Sequence, residues 1–172
     1  MKIALVDIET LGLNPREHEI IEIAAIIFDS KTFQIYNIFE SKINPFYPEN
    51  ADPKAIKCNG FTEDEWKDAP NIIPVLEKFI EKTKDCIFLA YNVSFDWGFL
   101  EYYLEKYGMK HQMSYSKMCL MSMAFGKIPH DKVWGWSLKT VATYLGVPRE
   151  DKMHRAMGGV NCEFEVYKKL MQ

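Results

Sequence analysis

Several things are scarce in this 172-residue chain, and each scarcity closes off a class of protein. Its 4 cysteines, Cys58, Cys86, Cys119 and Cys162, are scattered without the short CxxC spacing of a zinc site. They read as core or surface thiols that an intracellular chain keeps reduced. No apolar run approaches the length that spans a bilayer, so no membrane partner is expected. Met1-Lys2-Ile3 leads straight into an apolar strand with no room for a signal peptide, and the expectation is a cytoplasmic protein. Basic excess is missing too. A net charge of −3 argues against a broad, salt-driven grip on duplex nucleic acid, while a short end held in a pocket through metal ions stays compatible with it. Repeats and low-complexity tracts are also absent.

What is present is a well-cored globular chain, 48% hydrophobic and 14% aromatic, read as a single domain over residues 1–172. At that length folding removes about 70% of the unfolded-chain surface from water. The organising stretch is Leu5-Val6-Asp7-Ile8-Glu9-Thr10-Leu11-Gly12-Leu13, an apolar strand broken by two carboxylates two residues apart. Strand side chains alternate faces, so Asp7 and Glu9 share one face while Val6 and Ile8 take the other. Burying bare carboxylates side by side costs several kcal/mol, and such pairs persist by sharing a proton or holding a cation. Hard oxygen donors suit Mg²⁺ or Mn²⁺. The plainer reading is a strand-end acid pair that faces water. Thr10-Leu11-Gly12 reads as the turn that leaves the strand, which puts the acids at a C-terminal sheet edge, where open sheets bind ligands.

Further along, Ile20 to Phe28 is a nearly unbroken β-branched run, and Phe33 to Ile43 alternates loosely after the turn Asp29-Ser30-Lys31. Together these predict three antiparallel strands. A short helix fits between Asp52 and Gly60, capping-box spacing at Thr62-Glu63-Asp64-Glu65 starts another, and Asn71 to Lys82 has helical spacing. Cys86 to Tyr91 reads as a buried strand parallel to the first, with Ser94 capping a helix closed by Gly108. Lys117 to Phe125 reads as helical, Gly126 to Gly135 as a loop, Ser137 to Leu145 as a helix, and Arg155 to about Leu170 as the last helix. The expected fold is α/β: a mixed sheet of about five strands flanked by helices.

A third carboxylate, Asp96, falls in the first turn of the helix after the parallel strand, where the positive helix end favours an acid and the strand edge brings it near Asp7. An ordinary first-turn helix acid would look the same, and Asn92 would look the same as a plain turn residue. Phe95 and Phe99 fit a core, although one ring at a site rim would also stack on a base.

Taken together these stretches resemble the DEDD-type 3′ to 5′ exonucleases, the DnaQ-like family that includes polymerase proofreading subunits. Asp7, Glu9, Thr10, Gly12 and Leu13 match D-x-E-T-x-G-L, and Asn92, Phe95, Asp96, Phe99 and Leu100 match N-x-x-F-D-x-x-F-L. Asn59-Gly60-Phe61-Thr62 is similar to the segment before the family's substrate-side helix, and His154-Arg155-Ala156 begins the H-x-A-x-x-D motif of the histidine subclass. The resemblance implies a ribonuclease H-like sheet of three antiparallel strands followed by two parallel ones. It also implies two Mg²⁺ or Mn²⁺ ions, with Asp7 bridging both, Glu9 on the first, Asp96 holding them directly or through water, and His154 as general base. Thr10, Leu11, Gly12, Asn59, Asn92, Phe95 and Phe99 become the implied substrate contacts, with Leu11 as an apolar wedge against the terminal nucleotide. The implied partners are a single-stranded nucleic-acid 3′ end and a DNA polymerase.

One departure stands out. Where the motif carries its last aspartate, five residues after His154, this chain has Gly159. Losing that ligand lowers the expected cation occupancy and activity. Glu163 lies one turn further on the same helical face, roughly 6 Å along the axis, with a longer side chain, while Asn161 points nearly the opposite way. Gly158-Gly159 is also expected to weaken the start of the last helix by up to about 2 kcal/mol. Two functional expectations follow: a metal-dependent exonuclease, and a catalytically impaired relative that binds nucleic-acid ends or a polymerase. A metal-binding regulatory domain unrelated to nucleic acid is the third.

Overall fold

The computed structural model describes residues 1–148 and 153–172. Three strands, β1 (Lys2–Thr10), β2 (Ile20–Asp29) and β3 (Ile35–Lys42), form the antiparallel meander that the β-branched runs require. Three helices follow: α1 (Pro53–Asn59), α2 (Glu63–Trp66) and α3 (Ile72–Lys82). Asp52, Thr62 and Asn71 cap them by accepting from backbone N–H groups of the first turn. The crossover through these helices returns the chain as β4 (Ile87–Ala90), parallel to β1 with Leu5 opposite Leu89. Then come α4 (Val93–Lys106), β5 (Lys117–Cys119), α5 (Leu120–Lys127), α6 (Leu138–Tyr144) and α7 (Ala156–Met171). The sheet order is β3-β2-β1-β4-β5, so the acidic strand is central.

Three local expectations need correction. The segment from Lys117, read as helical, begins with the short fifth strand: its backbone pairs with β4 before Leu120 starts the helix. Pairing with a neighbouring strand is invisible to local periodicity. Ser94 lies inside the first turn of α4 and does not cap it; Asn92 occupies the cap position without a side-chain bond. Gly158 and Gly159 do not delay α7, which runs unbroken from Ala156 because its packing against β1 and β2 outweighs the local propensity cost.

Alternation along β1 sorts the core into two layers. Ala4, Val6 and Ile8 pack with Leu76 and Phe79 of α3 and with Phe99 and Leu100 of α4. Ile3 and Leu5 face the opposite way, onto Val160, Phe164 and Tyr167 of α7. By the same alternation Asp7 and Glu9 belong to the α7 side. At the end of β1 the register with β2 slips between Glu9 and Thr10, a bulge that leaves Ile21 outside the regular pairing. Ile21 turns into a third apolar cluster with Leu11, Phe61 and Trp66, and its carbonyl accepts from Trp66 Nε1 at 2.9 Å.

Candidate active site

A cleft of about 1150 Å³ opens at the C-terminal edge of β1 and β4. Its walls carry Asp7, Glu9 and Thr10 from β1, Asn92, Phe95 and Asp96 from the start of α4, and His154, Arg155, Gly159 and Glu163 from α7 and the turn before it. The structure therefore brings together all four residues expected to carry the chemistry.

Each acid is fixed by its element. Asp7 is half-buried in β1 opposite Ala24, and burial first, then Asp96 and Glu9, holds its carboxyl well above the usual carboxylate range. Glu9 pairs with Glu22 across β1 and β2, and burial, Glu22 and Asp96 push it up to about 8 against the opposing pull of Arg155. Asp96, 4% exposed, is raised by burial to about 7. Glu163, 2% exposed, is raised by burial and then by Asp7 and Asp96. These four carboxylates share one small space in which opposite charge is scarce.

Two oxygens there, Asp96 Oδ1 and Glu163 Oε2, are buried without a hydrogen-bond partner. Orphaned acceptors of this kind, surrounded by other carboxylates, are the donor set that a hard divalent cation satisfies. Among the described residues, no three His, Cys, Asp or Glu side chains already stand at ligand spacing.

Local sequence also explains the helix approach. A Cβ built on Gly159 would overlap Asp7 Oδ2 and lie 2.9 Å from its Cγ, so the bare helix backbone and the Asp7 carboxylate are in direct contact. Before α7, Arg155 donates from Nη1 to Glu22 Oε1 at 3.0 Å and from Nη2 to Glu65 Oε1 at 3.3 Å, over the ring of Trp66. Ala156 N–H completes the clamp on Glu22 Oε2 at 3.1 Å. His154 is held beside it by its N–H, which donates to Cys58 O at 3.0 Å, and is exposed at the cleft rim.

The expected substrate contacts divide. Thr10, Gly12, Asn59, Asn92 and Phe95 line the cleft. Gly12 is required there because a Cβ would overlap the ring of His18. Asn59 is buried with both ends of its amide engaged: Nδ2 donates to Thr10 O at 2.9 Å and Oδ1 accepts from Phe61 N–H at 3.1 Å, which braces the end of β1. Leu11 and Phe99 are corrections. The bulge turns Leu11 into the third cluster at 0% exposure, and Phe99, 1% exposed, belongs to the α3 and α4 layer. Leu13, 80% exposed on the cleft, stands where the apolar wedge was assigned to Leu11. Glu22 and Arg155 were missed. Their one sequence signal was a charged residue interrupting the apolar start of β2.

A family model described as Exonuclease matches residues 5–160. Over 166 residues, 96% of this chain, the sequence is 30% identical to the DNA polymerase III PolC-type of Caldanaerobacter subterraneus subsp. tengcongensis. The chain spans 11% of that polymerase's length. Among solved structures, the nuclease domain of 3'hExo, a DEDDh family member bound to rAMP, superposes with a TM-score of 0.77 at 19% identity, covering 96% of this chain and 88% of that one. Exonuclease I of E. coli in complex with a dT13 oligonucleotide gives 0.80 at 19% identity, covering 98% of this chain and 40% of that one. The mixed five-stranded sheet is thus the ribonuclease H-like exonuclease fold.

Proposed function

This chain belongs to the exonuclease family, and on that premise we propose that it is a metal-dependent 3′ to 5′ exonuclease releasing nucleoside 5′-monophosphates from single-stranded ends. The observation that carries the reading is the convergence of Asp7, Glu9 and Asp96 on one cleft with a buried Asp96 oxygen left without a partner.

Asp7, Glu9 and Asp96 would hold two Mg²⁺ or Mn²⁺ ions. When bound, such ions neutralise the scissile phosphate and make hydroxide accessible at neutral pH. His154, exposed at the rim, is the group that takes the proton from the attacking water. Arg155, clamped to Glu22, fixes the backbone that carries His154 and so sets where that proton is received. Leu13 and half-buried Phe95 supply apolar surface for the terminal base.

A second reading follows from Gly159: a module with little catalysis that binds nucleic-acid ends beside a polymerase. It is favoured by the missing side chain on α7 and by kinship with a segment of a PolC-type polymerase. End-labelled single-stranded DNA and RNA, incubated with Mg²⁺ or Mn²⁺, separates the two. The exonuclease reading expects stepwise shortening from the 3′ end, lost by at least about a thousandfold in Asp7→Asn as the charge stabilisation supplied through the metal disappears. Wild-type protein that binds the strands and leaves them intact with both ions establishes the second reading instead.

A further inference from the structure

We propose that Glu163 supplies the fourth carboxylate of this site, binding a divalent cation together with Asp7 and Asp96 in place of an aspartate at position 159. The inference rests on the metal-dependent reading above.

The geometry points this way from three sides. Glu163 lies one helical turn beyond Gly159, and side chains of a helix lean toward its N-terminus, so the Glu163 side chain covers the turn that Gly159 leaves bare. Glutamate is one methylene longer than aspartate, which extends that backward reach. On the other side, no side chain separates α7 from β1 at this level. The Asp7 carboxylate rests against Gly159 itself, so the helix approaches closely and carries its next turn toward the acids.

The third side is what Glu163 lacks. It is 2% exposed, its Oε2 has no hydrogen-bond partner, and the ionisable groups that act on it are Asp7, Asp96 and Cys162, none of them cationic; a backbone hydrogen bond from Tyr91 is the opposing influence, smaller than any of these. Glu165, two residues on, shows the ordinary alternative: it faces water and pairs with Lys168. A carboxylate is withdrawn from solvent into a group of carboxylates only where something offsets the repulsion, and a shared cation does so while filling the orphaned oxygens. The competing account keeps Glu163 as a protonated core filler, for which cation binding is irrelevant.

Calorimetric titration of the chain with MnCl₂ decides between them. Expected is a Kd weakened by about tenfold or more in Glu163→Gln, since ligand charge count tunes such affinities, with Glu165→Gln matching wild type. The melting temperature without metal should be equal or higher in Glu163→Gln, and its rise on adding Mn²⁺ smaller. A second measurement needs no variant: in a crystal of wild-type protein soaked in MnCl₂, a Glu163 oxygen should lie at bonding distance from an anomalous manganese peak. If Glu163→Gln binds Mn²⁺ as tightly as wild type, or Glu163 stays outside the shell of every manganese peak, the assignment is overturned and the remaining acids keep the metal-dependent reading. Wild-type protein that takes no Mn²⁺ in either experiment overturns both.

Discussion

The two faces of β1 were given the same backbone and opposite tasks. Toward α3 and α4, Ala4, Val6 and Ile8 enter a buried apolar layer whose packing stabilises the fold. Toward α7, the strand starts alike with Ile3 and Leu5, then presents Asp7 and Glu9 to Glu22, Asp96 and Glu163. One face removes unfavourable contacts, while the other collects them. The difference teaches that stability and chemistry are divided by the period-2 alternation of a single strand, with the repulsive face tolerated because the rest of the sheet is well packed.

Loss of Phe79 should break the contrast most. This α3 residue, 1% exposed and edge-on to Phe39 at 5.9 Å, does not line the cleft. Phe79→Ala is expected to lower stability by about 3–5 kcal/mol while Mn²⁺ affinity at a temperature where the variant is folded stays as in wild type; denaturant melts and titration calorimetry give both values. Asp7→Asn should behave in the opposite sense, with undiminished stability in EDTA and no metal-dependent gain. A Phe79 variant that keeps its stability would end the idea that this layer holds the fold.

A smaller effect is expected at the seam between the faces. Arg155→Met leaves Glu22, 9% exposed at its side chain, without its cation, but Arg155 is itself 30% exposed. The cost is therefore about 1–2 kcal/mol, below the about 3–5 of a fully buried pair. Activity should fall about tenfold to a hundredfold through misplacement of His154. Comparing kcat with KM on end-labelled strands checks it, since a purely structural role would leave kcat per folded molecule unchanged.

The smallest effect concerns pH. Glu9 and Asp96 are raised in the folded chain to about 8 and about 7. Between the ordinary carboxylate range and those values the folded protein holds protons that the unfolded chain has released, so these two groups make metal-free stability fall as pH rises from about 5 to about 8. Cation binding must displace the same protons, so Mn²⁺ affinity rises over that window. Calorimetric melting in EDTA at three pH values, beside Mn²⁺ titrations in the same buffers, tests both slopes. Slopes of the same sign would contradict the assignment.

The parts of the fold that follow from neighbouring residues were legible in the chain. The meander, the shared face of Asp7 and Glu9, the helix starts at Thr62 and Ser137, and the first-turn place of Asp96 all depend on spacings of a few residues. Strand β5 did not show, because three residues acquire strand character only from the partner beside them.

By itself, then, the sequence determined which acids share a strand face, which helix starts beside them, and that position 159 offers no ligand. Tertiary structure alone decided the rest: the slip in pairing that buries Leu11 and exposes Leu13, the register that sets Glu22 opposite Glu9, the Arg155 clamp, and the turn of α7 that brings Glu163 among the acids. The physical reason is range. Alternation and capping are set by bonds within a few residues, whereas register and helix approach depend on contacts between separate segments, from Glu9 and Glu22 across the first hairpin to Glu22 and Arg155, 133 positions apart.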